Sequence, residues 1–414
     1  MADSKMKQQE EEESKRRKLK LISYHYTINA MLSLLTFNTR TTILRDLTNG
    51  NAQRMSSYMS TWSLCIGAAE FLLNPTVGRL SDTYGRKFWM CLSPVVCTFL
   101  KALVLIRPTL FTISLEKIIC DGLRPLCGTT MVNAALADTV PREELKQAFA
   151  SMLAYVGISV VGGPLIGGAL QARFGSSGPY LLATILSIGL AYMNINYLEE
   201  TLQEDKKRPF KGIASPFAIL QLFTNGSKLA LASTAQLFSH LCEAKNLGTV
   251  NQLYQLNQLG WDSTLMSGYT MTVGLGFFFG SPAAKWSMKT FGDFGHTTMT
   301  NIVSILNYFI KGFIGGSTSM WFGQLLNIYG GTRNNALRGT SSRLGSEAGI
   351  GKGEYSGLHA NLRALCVFIS PLIWSNMYTM GLRNGNGGGF PYIGCGISII
   401  ISELLQRRLA SGKK

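Results

Sequence analysis

The stretch NPTVGRLSDTYGRK, Asn74 to Lys87, joins two long apolar runs, near 55–76 and 88–107. It ends the first run with Asn-Pro, then places Gly78, Asp82, Gly85, Arg86 and Lys87 within a few turns. A soluble protein can hold such a string in an ordinary polar loop. Here each flanking run is close to the roughly 20 residues a helix needs to cross hydrocarbon. The runs are too long, and alternate too little, for strands of a β-barrel. The stretch therefore reads as a short polar connection between membrane helices.

The whole chain fits that reading. Of 414 residues 46% are hydrophobic and 15% charged, against about 25% charged in soluble domains. Mean hydropathy is +0.15, low for a membrane protein, because the tail, the loops and many Ser, Thr, Asn and Gln within the spans are polar. Spans this polar are expected to enclose water. The net charge of +16 is unevenly placed: 26 of the 39 bases fall in the N-terminal tail, alternate loops and the C-terminus. That is the positive-inside pattern with both termini cytosolic, and it excludes nucleic acid as a partner. The eight cysteines lie in or beside apolar segments without a C-x-x-C pair, so neither a disulfide framework nor a metal site is expected. Residues 1–21 form a charged tail expected to be disordered, with no cleavable signal peptide.

Twelve helical spans are expected, numbered in order near 22–44, 55–76, 88–107, 111–136, 148–171, 178–199, 227–255, 264–284, 297–316, 318–336, 356–380 and 389–408. They imply an all-α membrane protein of two pseudo-symmetric six-helix bundles, 22–202 and 227–408. A cytosolic linker at 203–226 joins them, and 409–414 is a second tail. The halves repeat. Pro75 to Gly85 recurs as Pro282 to Gly292, and Gly163-Pro164-Leu165-Ile166 recurs as Ser370-Pro371-Leu372-Ile373, both offset by 207 residues. NAALADTVPR at 133–142 matches NNALRGTSSR at 334–343 in part, offset by 201. Two parallel six-helix repeats are the architecture of a large transporter class.

VGRLSDTYGRK resembles the loop motif G-x-L-x-D-x-x-G-R-K/R of the major facilitator superfamily. GLRPLCG at 122–128 resembles its R-x-x-x-G motif, with Cys127 where glutamine is common. VGISVVGGPLIGG at 156–168 resembles the glycine-proline motif of its antiporter branch, Tyr155 being a departure. Leu198-Glu199-Glu200-Thr201-Leu202 resembles the P-E-T-L ending of span 6, and ALAD at 135–138 brings the tetracycline/drug:proton antiporters nearest. The resemblance implies alternating access, with Gly78, Asp82, Gly85, Arg86 and Lys87 as a latch between halves that engages the start of span 11. It also implies a cavity lined by spans 1, 4, 7 and 10. Asn38, Arg40, Gln236, Gln324 and Asn327 are the candidates there, with Arg124 and His240.

The residues give physical reasons. Gly78 lets helices approach closely, Asp82 can face a helix N-terminus or a base, and Arg86 with Lys87 is expected to anchor at headgroups. A mid-span charge is costly, so Arg124 must meet water or an acid, and Asp121 lies one turn before it, near Lys117. Glu70, Asp121, Arg124, His240 and Glu243 are candidate proton-coupling or ion-pair residues; His240 and Glu243 share a helix face, and imidazole titrates near neutral pH. Each has a plain alternative as a structural pair. Gly162, Gly163, Pro164, Gly167 and Gly168 allow span 5 to bend and to pack tightly. The second loop carries Lys285, Lys289 and Asp293 at the places of Gly78, Asp82 and Arg86, so it receives no function. His25, His296 and His359 are read as interfacial.

The expectation is a monomeric, multi-pass transporter of a small organic solute, coupled to protons by antiport, with no cofactor and no metal. The alternatives are a sugar or organic-anion uniporter or symporter, which Arg40, Lys101, Lys311 and Arg363 would favour if they reach the cavity, and a non-transporting receptor or chaperone. No nucleophile, base and oxyanion set converges, so an enzyme is not expected.

Overall fold

A computed structural model describes residues 2–141, 145–202, 204, 207, 209–210, 212–213, 215–385 and 387–411. Among them are 17 α-helices. In chain order these are α1 (Ala2–Leu35), α2 (Phe37–Leu47), α3 (Ala52–Tyr84), α4 (Arg86–Ile106), α5 (Leu110–Gly122), α6 (Arg124–Cys127), α7 (Thr129–Thr139), α8 (Leu145–Phe174) and α9 (Ser177–Asn196). After the linker come α10 (Gln221–Thr224), α11 (Ser227–Leu241), α12 (Gly248–Leu253), α13 (Ser263–Phe309), α14 (Gly316–Gly330), α15 (Asn334–Glu347), α16 (Lys352–Arg383) and α17 (Phe390–Ser411). The excess over twelve arises because spans are cut. Span 1 is interrupted at Thr36, span 4 around Leu123 and Gly128, span 7 between Leu241 and Gly248, and span 10 between Gly330 and Asn334. Broken helices are tolerated at membrane depth where protein or a water-filled cavity satisfies the freed backbone groups. Among the described residues, five helices are long and apolar enough to qualify as spans by composition. Of the rest, those of spans 1, 4, 7 and 10 are cut, and α13 joins two spans across a kink at Gly292.

The repeat reappears in the backbone. Pro75 and Pro282 both lie inside helices, as do Pro164 and Pro371. Gly85 (φ 88°) and Gly292 (φ 71°) both adopt the left-handed conformation that glycine accepts without strain. The quoted stretch is therefore no loop: α3 continues through Pro75 to Tyr84, and the chain turns at Gly85 alone before α4. The N-terminal tail, expected to be disordered, is helical from Ala2 onward. Strong helix formers and i,i+4 pairing such as Glu12–Arg16 at 3.8 Å explain the difference.

Packing divides the chain into two units, Met1–Arg40 with Thr76–Ala214, and Thr41–Pro75 with Ser215–Lys414. In the first, α1 packs on α8 and α9, and α4 on α9 and α5. Leu32, Leu35, Ala183 and Leu190 form one buried cluster there. In the second, α13 packs on α14 and α17, and α11 on α17 and α15. Leu229, Leu344, Tyr355, Leu362 and Leu409 are among its core residues. The first part of α3 belongs to this second unit. A side chain at Gly67 would collide with the backbone of Phe368, so glycine permits the close approach of α3 to α16.

Candidate functional site

The second unit gathers charge at the break in span 7. His240 lies in the last turn of α11, and Glu243 and Lys245 follow in the irregular turn before α12. Glu243 accepts hydrogen bonds from His240 Nδ1 at 2.6 Å, Arg363 Nη2 at 2.8 Å and Asn334 Nδ2 at 3.0 Å. His240 Nε2 lies 3.3 Å from Nε2 of His359. With Nδ1–H given to the carboxylate, His240 Nε2 is left to accept from the Nε2–H of His359. Carboxylate and two imidazoles thus form a chain able to hold or pass a proton. Arg333 secures the break by donating to the backbone carbonyls of Ser239 and Cys242, at 3.0 and 2.9 Å. Glu70 meets Lys245 through both carboxylate oxygens at 2.8 Å. The sequence reading named Glu70, His240 and Glu243 but placed His359 at an interface. His359 is 2% exposed, and His25 and His296 are fully buried. His25 bonds to the Cys127 carbonyl and to Asn194.

The first unit holds two further ion groups. Arg40 grips Glu116 with Nε and Nη2 at 2.8 and 3.0 Å, and Lys101 Nζ reaches the same carboxylate at 2.8 Å. Arg40, expected to line the cavity, is instead buried in this triad. Glu116 went unnoticed in the sequence, although it sits four residues before Cys120 in a span and was legible as an intramembrane acid. One helical turn on, Asp121 is shared by Lys117 at 2.5 Å and Arg124 at 2.8 Å, as their common face predicts. Arg124 keeps 43% of its side chain exposed.

The opening motif builds a third network. Arg86 bonds to Asp82 at 2.7 Å, to Asp138 of α7 at 3.1 Å, and to Ser81. Glu200 caps α4, accepting from the backbone N–H of Arg86 at 2.9 Å and of Lys87 at 3.1 Å. Its negative charge faces the positive end of that helix. A Cβ at Gly85 would overlap the Glu200 carboxylate, so this glycine is required twice over. Arg86 is 6% exposed and therefore does not anchor at headgroups as expected; its fork is consumed by three acceptors. Asp138 and Glu200 lay in quoted motifs without an assigned role. Gly78 is helical, and its packing lies outside the described residues. In the second copy Asp293 lines a cavity of about 240 Å³ with Lys228, Arg343 and Glu347.

In span 5, a Cβ at Gly163 or Gly167 would press on Leu34 or Leu35 of α1. Gly168 is buried, Gly162 half-buried, and α8 runs unbroken through Pro164. Ser159 fixes the same contact by donating to the Thr27 carbonyl at 2.8 Å. Asn38, Gln236 and Gln324 are buried, and Asn327 is half-buried.

The family profile of the Major Facilitator Superfamily matches residues 26–371. The chain belongs to this superfamily. Among curated relatives, the class E tetracycline resistance protein of Escherichia coli is 24% identical over 362 residues, 81% of this chain and 82% of that protein. The human hippocampus abundant transcript-like protein 1 is 24% identical over 322 residues, 76% of this chain and 62% of that protein. The fold matches the human organic anion transporter MFSD10 (TETRAN) with a TM-score of 0.68 at 16% identity, covering 95% of this chain and 99% of that one. The protein is thus an integral membrane transporter of small molecules and not an enzyme.

Proposed function

We propose that this transporter exchanges a small organic solute for protons by alternating access, as a monomer with both termini in the cytosol. The carrying observation is the chain Glu243–His240–His359 at the break of span 7. It joins a carboxylate to two titratable rings inside a membrane protein, where ionisable residues are retained for function. Arg363 holds Glu243 from α16, so protonating the carboxylate weakens a contact between span 7 and span 11. That couples proton occupancy to helix movement. The network of Asp82, Arg86, Asp138 and Glu200 is assigned as the latch, with Gly78, Gly85 and Lys87 in its frame. Relatives named for tetracycline resistance support efflux of an organic compound.

The test uses proteoliposomes with an acidic lumen and a pH dye, offered a panel headed by tetracycline and benzoate. Solute entry accompanied by loss of lumenal protons is expected. Solute movement that ignores the proton gradient would replace antiport by uniport, and no movement of any solute would end the transport reading. A second reading, an organic-anion carrier, is favoured by Lys311, which forms no ion pair among the described residues.

A further inference from the structure

We propose that Lys311 is the anchor for the carboxylate of an organic anion, with Trp261, Tyr269 and Trp321 as the wall for its apolar body. Most bases buried in or near the spans meet an acid. Arg40 and Lys101 share Glu116, Lys117 and Arg124 share Asp121, Lys245 meets Glu70, and Arg363 meets Glu243. Arg333 is satisfied by Ser239 and Cys242. Lys311 differs. Its side chain is 4% exposed, and its Nζ donates to Tyr269 Oη at 3.1 Å. Among the described residues no ion pair forms at this lysine. An ammonium withdrawn from water without an anion carries an uncompensated solvation penalty. An arriving carboxylate removes that penalty, which gives the site a preference for anions over neutral solutes of the same shape.

The surroundings are built for the purpose. Lys311 lies in a π-turn, Ile310–Ile314, a distortion frequent at functional sites. A Cβ at Gly323 would crowd Lys311 Cε, so α14 makes room for the lysine stem. Trp261 stacks on Trp321 with centroids 5.6 Å apart, and Tyr269 stands against them at 5.7 and 5.6 Å. Trp261 is held in place by its Nε1–H to Ser317 Oγ at 2.8 Å. Aromatic faces beside a cation suit a flat apolar body that ends in a carboxylate.

The inference rests on the transporter fold for its use, yet its test reads binding alone, so failure of proton coupling leaves it standing. Equilibrium binding of radiolabelled benzoate to the full-length purified protein is measured against benzamide and chloride. Benzoate is expected to bind saturably and to resist benzamide. Lys311→Met should weaken it by about tenfold or more without lowering the melting temperature. Lys311→Arg should keep part of the affinity, and Trp321→Ala should weaken benzoate while sparing chloride. Equal competition by benzamide, unchanged affinity in Lys311→Met, or no benzoate binding to the wild type would overturn the proposal. Displacement by chloride at equal concentration, with no effect of Trp321→Ala, would reduce the site to one for inorganic anions and overturn it equally. Should Lys311→Met not fold, the wild-type ligand series decides.

Discussion

Glu116 accepts two hydrogen bonds from Arg40 and one from Lys101 while fully buried. Removing one member of such a group strands the others in low dielectric, which costs about 3–5 kcal/mol. Glu116→Gln is therefore expected to lower the melting temperature sharply, and Lys101→Met added to it should restore part of the loss. An unchanged melting temperature in the single variant would show that water reaches the triad. At this scale the sequence exposed which residues were charged within spans, but not their partners. Arg40 and Glu116 lie 76 residues apart, and no periodicity links them. His359 was misplaced for a similar reason: α16 begins at Lys352 and sinks inward within two turns, which composition at a span end does not reveal.

The α1–α8 contact depends on glycines with no room for a side chain. Gly167→Val is expected to cost about 1–3 kcal/mol through overpacking against Leu35, whereas Gly162→Ala, with open space around it, should be tolerated. Thermal unfolding of the two variants side by side checks the contrast; similar losses would mean that Pro164, and not the α1 contact, governs this segment. The turn at Gly85 makes a second prediction. Arg86→Ala leaves Asp82 and Asp138 facing each other's charge and frees the turn, so it should slow solute exchange while leaving equilibrium solute binding intact. Loss of binding together with exchange would deny the latch. Helix existence and the repeat were legible here, because Pro75, Pro282, Gly85 and Gly292 punctuate both halves in register. The breaks in spans 1, 4, 7 and 10 were not, since they are stabilised by side chains such as Arg333 from distant segments.

The whole molecule is a superfamily transporter whose first half carries the motif resemblances, with departures at Tyr155 and Cys127, and whose second half repeats the proline and glycine positions of the backbone. The proposed cycle divides the labour between two networks: the contacts of Arg86 with Asp82 and Asp138 would serve as the latch, and the chain Glu243–His240–His359 would carry the proton. In the proposed exchange cycle, protonating Glu243 weakens its contact with Arg363, so solute exchange and proton movement should be separable by chemistry at one carboxylate. The decisive comparison is solute exchange and lumenal pH recorded together in proteoliposomes of wild type and Glu243→Gln. The account predicts that Glu243→Gln still exchanges solute for solute but no longer moves protons with it. Proton flux equal to wild type in that variant would contradict the account.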